Sequence, residues 1–163
     1  MSQITDIVQY CAKGRRTVLD LGCGILPYIG CMEHLHLYMG VGMTEEGGHD
    51  VLDIDFYAEH DFDLILLMDI IEHLDKEDGI WLLTELQHRW PKANLCVFTP
   101  LGFHANTGEG STDPNHPQFH RSGWERRDFE QFELKTMCWP DYHGPNHGAI
   151  LAWSSSAWER NGL

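Results

Sequence analysis

The sequence predicts an α/β fold: one domain over residues 1–163, built on a doubly wound, mostly parallel seven-stranded sheet with helices on both faces. Three observations predict it. Short apolar runs alternate with longer amphipathic stretches, the pattern of β-α-β units. Phe62-Asp63-Leu64-Ile65-Leu66-Leu67-Met68 is nearly all apolar, as a parallel strand covered on both faces must be. A strand-like segment, Thr17 to Leu21, runs straight into Gly22-Cys23-Gly24, a turn that joins strand to helix.

The elements follow in order. A short helix over roughly Ile4 to Cys11 precedes the first strand. After the glycine turn, Pro27 suits the first turn of a helix running to about Tyr38, because its missing N–H is unneeded there. A second strand covers Tyr38 to Met43, and a weaker third one Asp50 to Leu52. The central run ends at Asp69. Asp75 then caps a helix whose Ile80, Leu83, Leu86 and Trp90 fall near one face before Pro91 stops it. Leu95 to Phe98 is the fifth strand. Thr99 to about Arg121 has no regular pattern and is rich in Gly, Pro, Asn and His, which suits a lid or binding loop. Ser122-Gly123-Trp124-Glu125 reads as a capping box opening a helix through Phe132. Leu134 to Trp139 and Ala149 to Ser154 complete the sheet as a hairpin-like antiparallel edge.

Composition narrows the function classes. A chain of 163 residues supports one core rather than two. No apolar run approaches a membrane span, and the start, Met1-Ser2-Gln3-Ile4, lacks the pattern of a signal peptide, so a cytoplasmic protein without membrane association is expected. Five cysteines without a C-x-x-C pair are read as reduced, mostly buried thiols. The net charge of -14 disfavours broad nucleic-acid binding unless a local basic patch overrides it, and makes a small molecule or a protein the expected partner. The oligomeric state is left open.

The glycine turn carries the chemistry. Glycines allow a ligand close to the backbone, and free N–H groups at a helix start favour a carboxylate or phosphate, which implies a nucleotide-like cofactor. A dinucleotide site would need a third glycine, where Leu26 and Pro27 stand. Asp20 instead offers an acceptor for an amino-acid ammonium group, which favours S-adenosylmethionine.

These residues resemble the class I S-adenosylmethionine-dependent methyltransferases, whose fold is Rossmann-like. Val18-Leu19-Asp20-Leu21-Gly22-Cys23-Gly24 is similar to that family's first motif, and Phe62-Asp63-Leu64-Ile65 with Asp69-Ile70-Ile71-Glu72-His73-Leu74 to its fourth-strand region. Asn115 to Trp124 is similar to a segment in a subset of the family. The resemblance implies that Asp20, Gly22, Cys23 and Gly24 surround the methionine part of the cofactor and that Met43 packs on its adenine. It implies further that Asp53 and Ile54 meet the exocyclic amine and ring edge, and that Asp69 lies near the transferable methyl. One position departs: Gly42 stands where the family places an acid for the ribose hydroxyls, and Glu45 or Glu46 is the available substitute.

Methyl transfer from a sulfonium needs alignment and exclusion of water more than covalent help. His73 is the candidate base for a hydroxyl or amine acceptor; a histidine merely bonded to Asp69 or to backbone would look the same in sequence. His120 and Arg121, with Arg126 and Arg127, are candidate substrate contacts for a carboxylate or phosphate. Pro117 argues against a helix that would align His116 with His120, so His104, His116, His120 and Asp113 are read as lid or substrate contacts and no metal is assigned. Trp81, Trp90, Trp139 and Trp153 are read as core or edge packing. The expected activity is methylation of a small-molecule or glycan-like acceptor. The alternatives are a catalytically silent binding module, motivated by Gly42, and a metal-dependent enzyme using the loop histidines.

Overall fold

The computed structural model describes residues 3–24, 28–44, 47–105 and 113–154. Among the described residues eight strands and three α-helices follow in chain order: α1 (Gln3–Ala12), β1 (Thr17–Leu21), β2 (Leu37–Val41), β3 (Met43–Thr44), β4 (Gly47–Gly48), β5 (Leu64–Met68), α2 (Lys76–Arg89), β6 (Asn94–Pro100), α3 (Arg126–Glu130), β7 (Leu134–Gly144) and β8 (His147–Ser154). Six strands form one sheet in the order β2-β1-β5-β6-β8-β7, and β3 pairs with β4 in a separate two-stranded ribbon. β2, β1, β5 and β6 are parallel, while β8 runs antiparallel to both β6 and β7. The sheet is thus mixed and six-stranded where seven strands were expected.

The period of two along the strands sorts the core into two layers. Leu64, Leu66 and Met68 of β5, with Val18, Cys96, Phe98 and Leu151, face α1 through Val8, Cys11 and Ala12. Ile65 and Leu67, with Leu19, Leu21, Val97 and Ile150, face the side covered by Leu82, Leu83 and Leu86 of α2 and by Phe129 of α3. Every residue of β5 is buried, so a polar substitution on either face would lose about 1.5–3 kcal/mol of apolar burial before any cost of the polar group itself.

Four local expectations need correction, each for a physical reason. The third strand is absent because Asp50 turns the chain: its Oδ1 accepts the Leu52 N–H at 2.9 Å and its carbonyl accepts that of Asp53 at 3.0 Å, which leads into a 3₁₀ turn at Ile54–Phe56. The helix expected up to Tyr38 is only a 3₁₀ turn at Tyr28–Cys31, with Pro27 outside the described residues. Gly30 weakens a helix there, His34 takes φ 58°, and the Arg16 carbonyl accepts the N–H groups of His36 and Leu37, drawing the chain early into β2. The expected second strand is split, since β2 stops at Val41 and Met43 belongs to the β3–β4 ribbon. Finally, the capping box lies three residues later than expected, between Glu125 and Asp128, because Ser122 is buried and donates its hydroxyl to the Ile71 carbonyl instead.

All five cysteines are free, but only Cys11 and Cys96 are buried. Trp90 and Trp153 lie in the core, whereas Trp81 is 45% exposed and packs into neither layer. Among the described residues no helix is long and apolar enough to cross a membrane.

Candidate active site

The carboxyl ends of β1, β2 and β5 open onto a cavity of about 250 Å³. That is the end of a parallel sheet where ligands bind in open α/β folds. Its wall includes Gly22 and Gly24 from the turn after β1, Gly42 and Met43 after β2, Asp50 and Val51, and Asp69 and Ile70 after β5. Gly22 has φ 78°, and a Cβ there would stand 2.7 Å from the Ile70 side chain, so only glycine lets these two loops meet.

Two carboxylates at this end, the buried Asp20 and the half-buried Asp69, each keep one buried oxygen without a partner among the described residues. Asp20 is 1% exposed; the Tyr38 hydroxyl donates to its Oδ2, and among the described residues its Oδ1 has no hydrogen bond. Burial raises its pKa to about 6, against the lowering effect of Tyr38 and of a backbone hydrogen bond from Tyr28. Asp69 sits at φ 52°, donates its N–H to the Phe98 carbonyl at 2.8 Å, and leaves its Oδ1 without a partner among the described residues. Burial raises it to about 6 as well. Unpaired buried carboxylate oxygens are costly, and a cationic ligand group would relieve both.

A second cavity, of about 370 Å³, adjoins the first and shares Asp69, His73 and Gln118 with it. Glu72, His73, His104, His120, His143 and His147 line it. Here one potential ligand atom from each of Glu72, His73 and His120 lies within 4.8 Å of the other two. The His73 Nδ1 meets the Phe119 carbonyl at 3.3 Å and the His120 Nδ1 meets the His104 carbonyl at 2.7 Å. If each Nδ1 donates, each Nε2 keeps its lone pair, the arrangement that orients metal-binding imidazoles. Burial, then the Asp69 charge, pushes Glu72 up to about 8, and burial with the neighbouring His120 holds His73 down at about 4. Two imidazoles beside a buried carboxyl suit a divalent cation, whose bonds of about 2.1 Å separate ligand atoms by roughly 3–4 Å.

The pairing is built by the segment after the loop. The Glu72 carbonyl accepts the N–H groups of Arg121 and Ser122 at 2.8 and 3.1 Å, and the Ile71 carbonyl accepts the Ser122 hydroxyl and the Trp124 Nε1–H at 3.1 and 3.2 Å. Thr99 of β6 donates to the Glu72 Oε2 at 2.8 Å. His120 is thereby held beside His73 and Glu72, 47 and 48 positions earlier in the chain.

Of the residues expected from sequence, Gly22, Gly24, Met43 and Asp69 line the first cavity together. Asp20 lies buried beneath the turn, and the Cys23 sulfur packs where a Cβ on Gly40 would stand. Asp53 and Ile54 are not in the cavity wall: Asp53 is exposed, and Ile54 belongs to the core. Asp50 and Val51, three residues earlier, line that wall instead. Glu45 and Glu46 lie outside the described residues. His120 and Arg121 separate, His120 to the second cavity and Arg121 to the first. Arg126 and Arg127 line a different cavity with Leu101 and Thr136, so the expected cationic patch does not form. His116 accepts the Gln118 N–H, and Asp113 that of Asn115, neither within the Glu72 cluster. Sequence reading missed Glu72, although it lay within a quoted motif directly before His73.

No protein-family model and no curated protein matches the sequence. The fold does match solved structures. Small RNA methyltransferase HEN1 superposes with a TM-score of 0.66 and 16% identity over 93% of this chain, which spans only 24% of that protein's length. The N-terminal domain of EvdMO1 with SAH bound gives 0.63 and 12%, covering 92% of this chain and 78% of that one. A SAM-dependent methyltransferase from Archaeoglobus fulgidus gives 0.58 and 16%, covering 92% and 94%. The chain has the fold of class I S-adenosylmethionine-dependent methyltransferases.

Proposed function

We propose that the chain binds S-adenosylmethionine in the first cavity and transfers its methyl group to a hydroxyl oxygen presented from the second, where Glu72, His73 and His120 hold a divalent cation. The observation that carries this reading is the shared wall: Asp69 and His73 border both cavities, so cofactor and acceptor would meet there. When bound, the cofactor supplies an electrophilic methyl for in-line displacement. Asp20 and Asp69 offer the acceptor oxygens for its ammonium group, Gly22 and Gly24 the close backbone, Met43 an apolar face for the adenine, and Asp50 a carboxylate for the adenine amine, the role that the resemblance implies for Asp53.

A hydroxyl is the acceptor group that suits this site. A cation held by Glu72, His73 and His120 would let a bound hydroxyl release its proton to solvent more readily as its oxygen takes the methyl from sulfur, whereas it would repel a protonated amine. His73, held neutral at about 4, is too weak a base to keep an abstracted proton at neutral pH, and its ring serves as a ligand. With a net charge of -14, a small-molecule or sugar-like hydroxyl remains the favoured acceptor. The likeness to small RNA methyltransferase HEN1 favours a second reading, a hydroxyl of an RNA acceptor.

Calorimetric titration with S-adenosylmethionine and S-adenosylhomocysteine, followed by transfer assays on diols, sugars and short RNAs with Mn²⁺ or EDTA, tests this. Saturable cofactor binding and transfer that EDTA stops are expected. Absence of cofactor binding at millimolar concentration would favour a silent module; transfer indifferent to EDTA would remove the cation from the reading.

A further inference from the structure

The opposite end of the sheet carries a feature that methyl transfer does not use. A cavity of about 650 Å³ opens at the amino ends of β1 and β2, lined by Lys13, Arg15, Arg16, Met32, Glu33 and His34 among others. Five residues of β1 separate it from the glycine turn, roughly 15 Å along the strand. In a chain of net charge -14, three of the 11 Lys and Arg fall within four consecutive positions here.

Local geometry gathers those cations. α1 ends at Ala12, whose carbonyl accepts the Arg15 N–H at 2.9 Å, and Gly14 takes φ 74° with open space at its Cβ position. The chain therefore doubles back with Lys13, Arg15 and Arg16 all on the cavity wall. Asp63 is the adjacent acid, but its Oδ2 accepts the backbone N–H groups of Arg16 and Thr17 at 2.9 and 3.2 Å. The Arg16 guanidinium instead meets the His36 Nε2. Among the described residues neither Lys13 nor Arg16 forms an ion pair. One cation after a helix is explained by the helix dipole. Three around a concavity exceed that need, and among the described residues Glu33 is the one acid in its wall.

We propose that this cavity is a binding site for the phosphate groups of a nucleotide-sized ligand. Arginine forks and a lysine suit the multiple oxygens of a di- or triphosphate. The volume lies within the range of small-ligand pockets, and Ala12, Cys31 and Met32 give it an apolar side for a base. A long polyanion fits less well, because it would leave the patch and cross an acidic surface.

Calorimetric titration with tripolyphosphate, ATP and adenosine tests the site. Tripolyphosphate and ATP should bind saturably and more weakly as salt rises, and adenosine should not bind. The double variant Lys13→Gln/Arg15→Gln should weaken both at least about tenfold while its melting temperature without ligand stays unchanged. Should Arg15→Gln disturb folding, Lys13→Gln alone, at an exposed position, should weaken both about threefold. No saturable binding at millimolar ligand, or equal binding by the variants, would overturn the proposal. A single-stranded RNA that binds more tightly than ATP and loses affinity in the same variants would replace the nucleotide with a polymer.

Discussion

The rings of His73 and His120 stand edge to face, 4.7 Å apart between centroids, and each engages a main-chain carbonyl through Nδ1. Two imidazoles so anchored cannot easily turn away from each other, and the Glu72 carboxyl completes the group. His120 lines the second cavity and not the first, so the proposed cation and cofactor sites can be tested separately through it.

His120→Ala should lower Mn²⁺ affinity by at least about a hundredfold, since removing a ligand costs more than the 10- to 100-fold typical of an orienting partner. Transfer should fall with it, while S-adenosylhomocysteine affinity should change by less than about threefold because His120 lies outside the first cavity. Titration of Mn²⁺ by electron paramagnetic resonance, beside calorimetry with the cofactor product, checks both. Equal loss of the two affinities would mean that His120 acts through the fold.

Asp20→Asn should stabilise the free protein at neutral pH and abolish cofactor binding. The folded state raises the Asp20 pKa to about 6, chiefly by burial, so it holds this proton more tightly than the unfolded chain. Stability from this group is therefore full below about pH 4 and is lost as pH rises through 6, a change of roughly 2–3 kcal/mol. Urea denaturation at pH 4 and pH 7 should show variant and wild type close together at the lower pH and the variant ahead at the higher. A variant less stable at pH 7 would contradict the assignment of Asp20 as a strained acid awaiting an ammonium group.

Gly22→Ala should both destabilise the fold and close the first cavity. At φ 78° an alanine is strained by about 1 kcal/mol, and a Cβ 2.7 Å from Ile70 adds roughly 1–3 kcal/mol of overpacking. Ile70→Ala in the same chain should recover part of the stability but not the cofactor affinity, because the φ strain remains. Thermal melts with and without S-adenosylhomocysteine distinguish these contributions.

The sequence was legible where one local cause decides the structure. Apolar alternation located β1, β5, β6 and α2, and the glycines located the turn. It was less legible where side chains compete with backbone pairing. Asp50 diverts the would-be third strand through its own carboxylate, and that displacement moves the cavity wall from Asp53 and Ile54 to Asp50 and Val51. The Glu72, His73 and His120 group was hidden for another reason. His116 and His120 are spaced as on one helix face, whereas Glu72, His73 and His120 come together through the carbonyls of Ile71 and Glu72 catching residues 121–124. No periodicity records such a contact.

Gly79→Ala gives the sharpest test of that framework, because propensity and packing predict opposite signs. Within α2, alanine should gain about 1 kcal/mol over glycine. Its Cβ, however, would stand 2.6 Å from Cζ2 of Trp124, a fully buried indole. That ring is fixed from several sides: its Nε1–H donates to the Ile71 carbonyl and to the Ser122 hydroxyl, the Lys76 ammonium lies 3.7 Å over it, and Phe129 stacks against it. It cannot yield cheaply, so overpacking of roughly 1–3 kcal/mol outweighs propensity and the variant should melt lower. In a Trp124→Leu background the obstruction is gone and the same substitution should raise stability by up to about 1 kcal/mol. Such a reversal, read as a coupling energy in a double-mutant cycle, would locate the strain between these two residues. A loss of equal size in both backgrounds would place it elsewhere in α2.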